Sequence, residues 1–153
     1  MAKSVTPVQR SRFMYILQAG LEYLVAILVG GSFLATITSY LGLSDGMTAI
    51  ITSITGMGTA FQLISMVITP KNTKRMVIAM SVINQLLFMA MYVIPLVSGE
   101  AKISGAVFVA VVVLAYLIYN IAHPKKVDWF MSMVDEGNRG RFTATKEVIS
   151  LIM

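Results

Sequence analysis

The chain has 153 residues and only 19 charges, 12 of them basic. Charged residues make up 12% against about 25% in a soluble domain, hydrophobic residues make up 57%, and the mean hydropathy is +0.80. These values exclude an ordinary soluble globular domain, and they exclude a disordered chain, which needs low hydrophobicity and high charge.

The charges are unevenly placed. Residues 23–44, 46–69, 76–99 and 103–124 contain none, and these four blocks hold 92 of the residues. A membrane-spanning helix needs about 20 mostly apolar residues to cross roughly 30 Å of hydrocarbon. The pattern predicts an all-α fold, a polytopic transmembrane helix bundle with four spans and the start of a fifth.

In chain order, residues 1–12 read as a basic cytoplasmic tail, 13–124 as the four-helix transmembrane region, 125–141 as a cytoplasmic and interfacial loop, and 142–153 as the start of a truncated fifth helix. Span one covers Met14 to Leu43, about 30 residues or roughly 45 Å at 1.5 Å per residue. It must tilt or project beyond the bilayer. Glu22 interrupts its apolar run, and it carries Gly20, Gly30 and Gly31. Ser44-Asp45-Gly46 forms a short outer turn into span two, Met47 to Thr69, which ends at Pro70 and a basic run. Span three covers Met76 to Val97, with Pro95 near its outer end. Residues 98–102 form a second outer loop. Span four covers Ser104 to Ala122 and stops at His123-Pro124. Val127 to Val134, with Trp129 and Phe130, suits the headgroup level. Residues 135–141 then turn, and the apolar run that closes the sequence reads as the cut end of a fifth span.

If four spans alternate, 11 of the 12 basic residues fall on one side and Lys102 alone on the other. Basic residues collect in cytoplasmic loops, so the N-terminus is expected in the cytoplasm and the protein in the cell membrane as a multi-pass chain. The same bias accounts for the net charge of +5 without nucleic acid. There is no cysteine, hence no disulfide or catalytic thiol. No catalytic set, phosphate loop or metal-spaced cluster occurs; no enzyme activity, cofactor or metal is expected.

Polar residues inside the spans are the candidate site. Glu22 is the only ionisable residue within a span, and an intramembrane acid reads by default as a proton relay or cation site; the alternative is a place near the cytoplasmic boundary. Gln18 lies one turn below it. Thr48, Thr52, Thr55, Thr59 and Gln62 recur at steps of 4, 3, 4 and 3, one face of a helix. That face either lines a solute pathway or packs against other helices, with hydroxyls bonded back to the i−4 carbonyl. Gly56 and Ala60 form a small-residue pair beside it. Asn84 and Gln85 in span three and Asn120 in span four fit interhelical hydrogen bonds, with solute contact as the sharper reading. His123, alone beside Pro124, reads as an interface residue.

The order of these features resembles the N-terminal third of a major facilitator superfamily transporter. The stretch Ile68 to Arg75 stands where that family carries a Gly-x-x-x-Asp-Arg-x-Gly-Arg motif; Lys74 and Arg75 match its basic end, while its Gly and Asp are absent. Asp128 to Phe142, with Trp129 and the run Arg139-Gly140-Arg141-Phe142, resembles the approach to span five in a subset of members. The resemblance implies twelve helices, of which this chain supplies the first four and part of the fifth, and a small solute carried by alternating access with or without a coupling ion. It puts Lys74, Arg75, Arg139, Gly140 and Arg141 at the cytoplasmic gate, with Gly140 permitting a bend. The expected partners are the lipid bilayer, the solute and the remaining helices of a longer transporter. Two other readings stand beside it. One is a self-contained dimeric proton-coupled exporter similar to the small multidrug resistance family, with Glu22 as its proton site. The other is a non-transporting membrane adaptor using the basic residues 125–147.

Overall fold

A computed structural model describes residues 7–97 and 101–152, without the side chains of 7–8, 55–57 and 101–103. The expected extreme N-terminal tail and the centre of the second outer loop lie outside the described residues. All elements among the described residues are helical: α1 (Pro7–Leu28), α2 (Gly31–Tyr40), α3 (Asp45–Met57), a 3-10 turn (Gly58–Phe61), α4 (Gln62–Val67), α5 (Thr73–Val97), α6 (Ala101–Met131), a second 3-10 turn (Glu136–Asn138) and α7 (Arg139–Ile152). Three stretches are long and apolar enough to cross a membrane: Asp45–Val67, Thr73–Val97 and Ser104–Met131. The pair α1 and α2 adds a fourth if taken as one bent span. Only 20%, 22% and 33% of the three apolar windows is buried inside the protein. Side chains such as Val67, Leu96 and Val97 are more than three-quarters exposed, a surface that suits lipid rather than water.

Several elements differ from the sequence expectation. Span one is not broken at Glu22, which sits inside the continuous α1. The helix stops at Leu28 and restarts at Gly31, whose φ of +50° is a left-handed value that glycine adopts without a Cβ clash. Glutamate is a good helix former and a glycine pair is not, so the break falls where helix propensity is lowest rather than where the charge is. The turn after α2 begins earlier than expected. Leu43 N–H bonds to Thr38 O and Gly42 N–H to Ser39 O, with Gly42 at φ +68°, the reciprocal pair that closes a helix on a left-handed glycine. Ser44 then caps α3, its hydroxyl accepting from Met47 N–H at 3.3 Å, and Asp45 and Gly46 already belong to α3. Asn72 starts α5, its side chain accepting from Arg75 N–H at 3.1 Å.

The fourth long helix does not stop at His123-Pro124. α6 runs through Pro124 to Met131, so Trp129 and Phe130, expected in an interfacial loop, are helical. Proline removes one i→i−4 bond, that to the Asn120 carbonyl, and here the helix continues past that loss. It ends in tightened bonds, Met133 N–H to Phe130 O and Val134 N–H to Met131 O. Gly140 is not a bend either: Arg139, Gly140 and Arg141 form the first turn of α7. Residues 7–12 of the expected tail belong to α1.

The chain divides into two compact units. One joins the segment up to Ala26 with the segment from Val127 onward. Its centre is Tyr15, buried and stacked on Phe130 at 3.7 Å between ring centroids and on Phe142 at 6.0 Å. The other unit is Ile27–Lys126. Its core includes Leu34, Ile51, Phe88, Met91, Phe108 and Val112. Thr48 donates to Thr38 at 3.0 Å between α3 and α2, and Leu43 packs against Gly105 at the start of α6.

Candidate functional site

In the Ile27–Lys126 unit the polar groups gather at two irregular places in the backbone. The first is the α1–α2 break. A helix end leaves carbonyls without intrahelical donors, and in an apolar interior each must find another. Two tyrosine hydroxyls supply them. Tyr92 of α5 donates to Leu28 O, and Tyr116 of α6 donates to Val29 O at 3.0 Å. The Tyr116 ring is also held edge-on by Phe88, centroids 5.5 Å apart. Tyrosine suits this task because its body is apolar and its tip can bond.

The second is the 3-10 turn between α3 and α4. The sequence Gly56-Met57-Gly58-Thr59 has little helix propensity, and at Gly58 the α-helix tightens. The side chain of Asn120 from α6 occupies the space a Cβ would take there, its Nδ2 only 2.3 Å from that position. Asn120 Nδ2 donates to Tyr116 O at 2.8 Å, and its Oδ1 accepts from Gln62 Nε2 at 3.4 Å. Asn120 therefore ties α6 to the first residue of α4 across a contact that only glycine permits.

From α3 to the start of α4 the expected polar row divides by exposure. Thr48 and Gln62 are half-buried; Thr52 and Thr59 are exposed. Thr52 donates to Thr48 O at 2.8 Å, the back-bond to i−4. The side chain of Thr55 lies outside the described residues. Asp45, Thr48, Ala49, Thr52 and Ser53 line an open surface cleft. Asn84 is buried at 3% exposure and donates to Ala115 O at 2.7 Å, which makes it a tie between α5 and α6. Lys74 and Arg75 are exposed on the first turn of α5.

In the other unit, Gln18 Nε2 donates to Glu22 Oε1 at 3.1 Å, and both are half-buried. Arg12 was read only as part of the basic tail. It lies on α1, where its Nη2 donates to Met133 O at 2.8 Å and stands 3.6 Å from the Asp135 carboxylate. Arg139 reaches Val134 O at 3.3 Å and Glu136 at 3.7 Å. Gly140 and Arg141 are exposed.

The structure thus brings Gln18 to Glu22, Gln62 to Asn120 and Thr48 to Thr38; Lys74, Arg75 and Arg141 stay on the surface. The sequence reading does not single out Tyr92, Tyr116 or Gly58, and it gives Arg12 no place beyond the basic tail. A tyrosine hydroxyl inside an apolar span, which needs a bonding partner there, is the signal that could have found the first two. Among the described residues no group of three or more His, Cys, Asp or Glu side chains could hold a metal ion. Comparison with known protein families, with curated proteins and with solved structures finds no match to this chain.

Proposed function

We propose that the chain forms part of a secondary transporter in the cell membrane, with its N-terminus in the cytoplasm and four spans, carrying a small solute by alternating access. The observation that carries this reading is the interrupted first span, with the carbonyls of Leu28 and Val29 received by tyrosine hydroxyls. Irregular backbone at membrane depth is tolerated only where protein covers it or a water-filled cavity adjoins it. Helices broken in this way recur at the binding sites of transporters. The second irregular place, at Gly58–Phe61, supports the same reading, because a 3-10 stretch inside a long helix often marks a hinge.

In this reading the exposed Thr52 and Thr59 face the solute pathway, and Glu22 with Gln18 handles a coupling proton or cation. Lys74, Arg75, Arg139 and Arg141 lie on the cytoplasmic side, where the resemblance to the major facilitator superfamily puts its gate. The helices present form one wall of the pathway, and further helices form the other.

The absence of cysteine makes the test free of background. Single cysteines at Thr52 and Thr59 are exposed to a water-soluble maleimide from either side of sealed vesicles. Alternating access expects reaction from both sides, in proportions that change when a transported solute or a pH gradient is added. Protection of both positions from both sides would count against a pathway along α3.

A further inference from the structure

Between α3 and α6 lies a partly enclosed cavity of about 180 Å³. Ile54, Gly58 and Phe61 form one wall, and Val113, Tyr116 and Leu117 form the other. We infer that this cavity is a binding site for a small neutral aromatic molecule, one ring with at most a short substituent. The inference does not depend on transport.

The size argument comes first. Cavities of about 150 Å³ lined by aliphatic and aromatic side chains stay dry and take up benzene or xenon. This one is slightly larger and has the same chemistry. Among the described residues that line it, the one polar side chain is already engaged: the Tyr116 hydroxyl donates to Val29 O. A carboxylate would be buried there without a donor, and an ammonium or amide would find only the remaining acceptor capacity of that hydroxyl, which leaves charge or further N–H groups unpaired at a cost.

Shape then selects a ring. Phe61 and Tyr116 present aromatic surfaces from the two walls, and rings gain from stacked or edge-on neighbours. The Tyr116 wall is fixed in advance by its hydroxyl bond and by the Phe88 ring, so ordering costs on binding are small. The cavity also borders the 3-10 turn. At that turn the Asn120 amide already occupies the space a Cβ of residue 58 would take, and it is held there by Tyr116 O and Gln62. Hydrogen bonds within the fold therefore hold both the Tyr116 side of the cavity and the turn beside it.

A lipid acyl end has related chemistry, and the test separates the two sources. The full chain is placed in lipid nanodiscs and irradiated with 3-trifluoromethyl-3-phenyldiazirine, and adducts are mapped by mass spectrometry. The expected result is labelling at Phe61, Val113 or Leu117 that excess toluene suppresses, above unsuppressed labelling of the lipid-facing surface. Val113→Phe takes up part of the cavity and is expected to weaken the suppressible component several-fold. Ile54→Phe narrows it from the opposite wall to the same effect, which guards against one variant failing to fold; both are compared with the parent by elution profile. A parallel sample carries lipid with a diazirine at the acyl end. Labelling of the same residues by the lipid probe and not by the phenyl probe would assign the cavity to the bilayer and overturn the proposal. Labelling by the phenyl probe that toluene does not suppress would overturn it as well.

Discussion

A Cβ built on Gly58 would stand 2.3 Å from the Asn120 amide nitrogen, 2.9 Å from its Cγ and 3.2 Å from its Oδ1. Asparagine has two side-chain torsions with which to retreat, but rotation would break its bonds to Tyr116 O and Gln62. Gly58→Ala is therefore expected to act as an overpacking change, costing about 1–3 kcal/mol. Asn120→Ala alone loses the tie, at about 0.6–2 kcal/mol for a hydrogen bond between membrane helices. In the double variant the obstruction is gone, so the costs fall short of their sum. Unfolding in mixed micelles measures all three. Additive costs would show that Asn120 is not what excludes the methyl group. Half of this pair was legible in the sequence. An asparagine in an apolar span advertises a need for partners, whereas a glycine says nothing about which neighbour requires its missing side chain. The same holds for Asn84, whose bond to Ala115 O follows from its type although its acceptor does not.

The same limit operates on whole elements. Hydropathy counts residues, and it read Met14 to Leu43 as one span because every residue but Glu22 is compatible with lipid. Helix continuity depends on propensity and on the fate of the backbone bonds. On those terms Glu22 is harmless, Gly30-Gly31 is a break, and Pro124 is a single lost bond inside a helix that runs on to Met131. The three long apolar helices were legible because length and hydropathy are enough to define them. The tyrosines that receive the freed carbonyls were not, since their hydroxyls could have served any of several helices. Tyr116→Phe keeps the ring and removes only the donor to Val29 O. It is expected to lower stability by about 1 kcal/mol, within the range for hydrogen bonds in membrane proteins, and to speed amide exchange at the start of α2. Gly31→Ala probes the break from the other side. Nothing stands within 4 Å of the new methyl group, so its cost comes from the φ of +50° alone, about 1–2 kcal/mol for a non-glycine residue in the left-handed region. A Tyr116→Phe protein with unchanged stability and exchange would mean that Val29 O finds water instead.

At the scale of the molecule the open quantity is whether α1 and α2 make one bent span or a segment that enters and leaves on the same side. The charges distinguish the two. With four spans the basic residues divide 11 to 1. With three, the N-terminal Lys3, Arg10 and Arg12 join Lys102, and the division falls to 8 to 4. Basic bias sets orientation through short loops, and every connection between the long helices here is short, so the sharper division is the one a translocated chain should adopt. Single cysteines in the cysteine-free chain decide it. Ser11 lies exposed on α1, Ser44 between α2 and α3, and Asn72 before α5. A membrane-impermeant maleimide added to intact cells is expected to label Ser44→Cys at once, and Ser11→Cys and Asn72→Cys only after the membrane is opened. If Ser11→Cys and Ser44→Cys label together, the pair does not cross and the chain has three spans. In that case Asn72 would lie opposite the N-terminus, and Glu22 would have no route from one side to the other along the first helix. The labelling of Ser11 relative to Ser44 therefore bears on the transport reading itself, because a proton or cation site on α1 serves alternating access only if that span goes through.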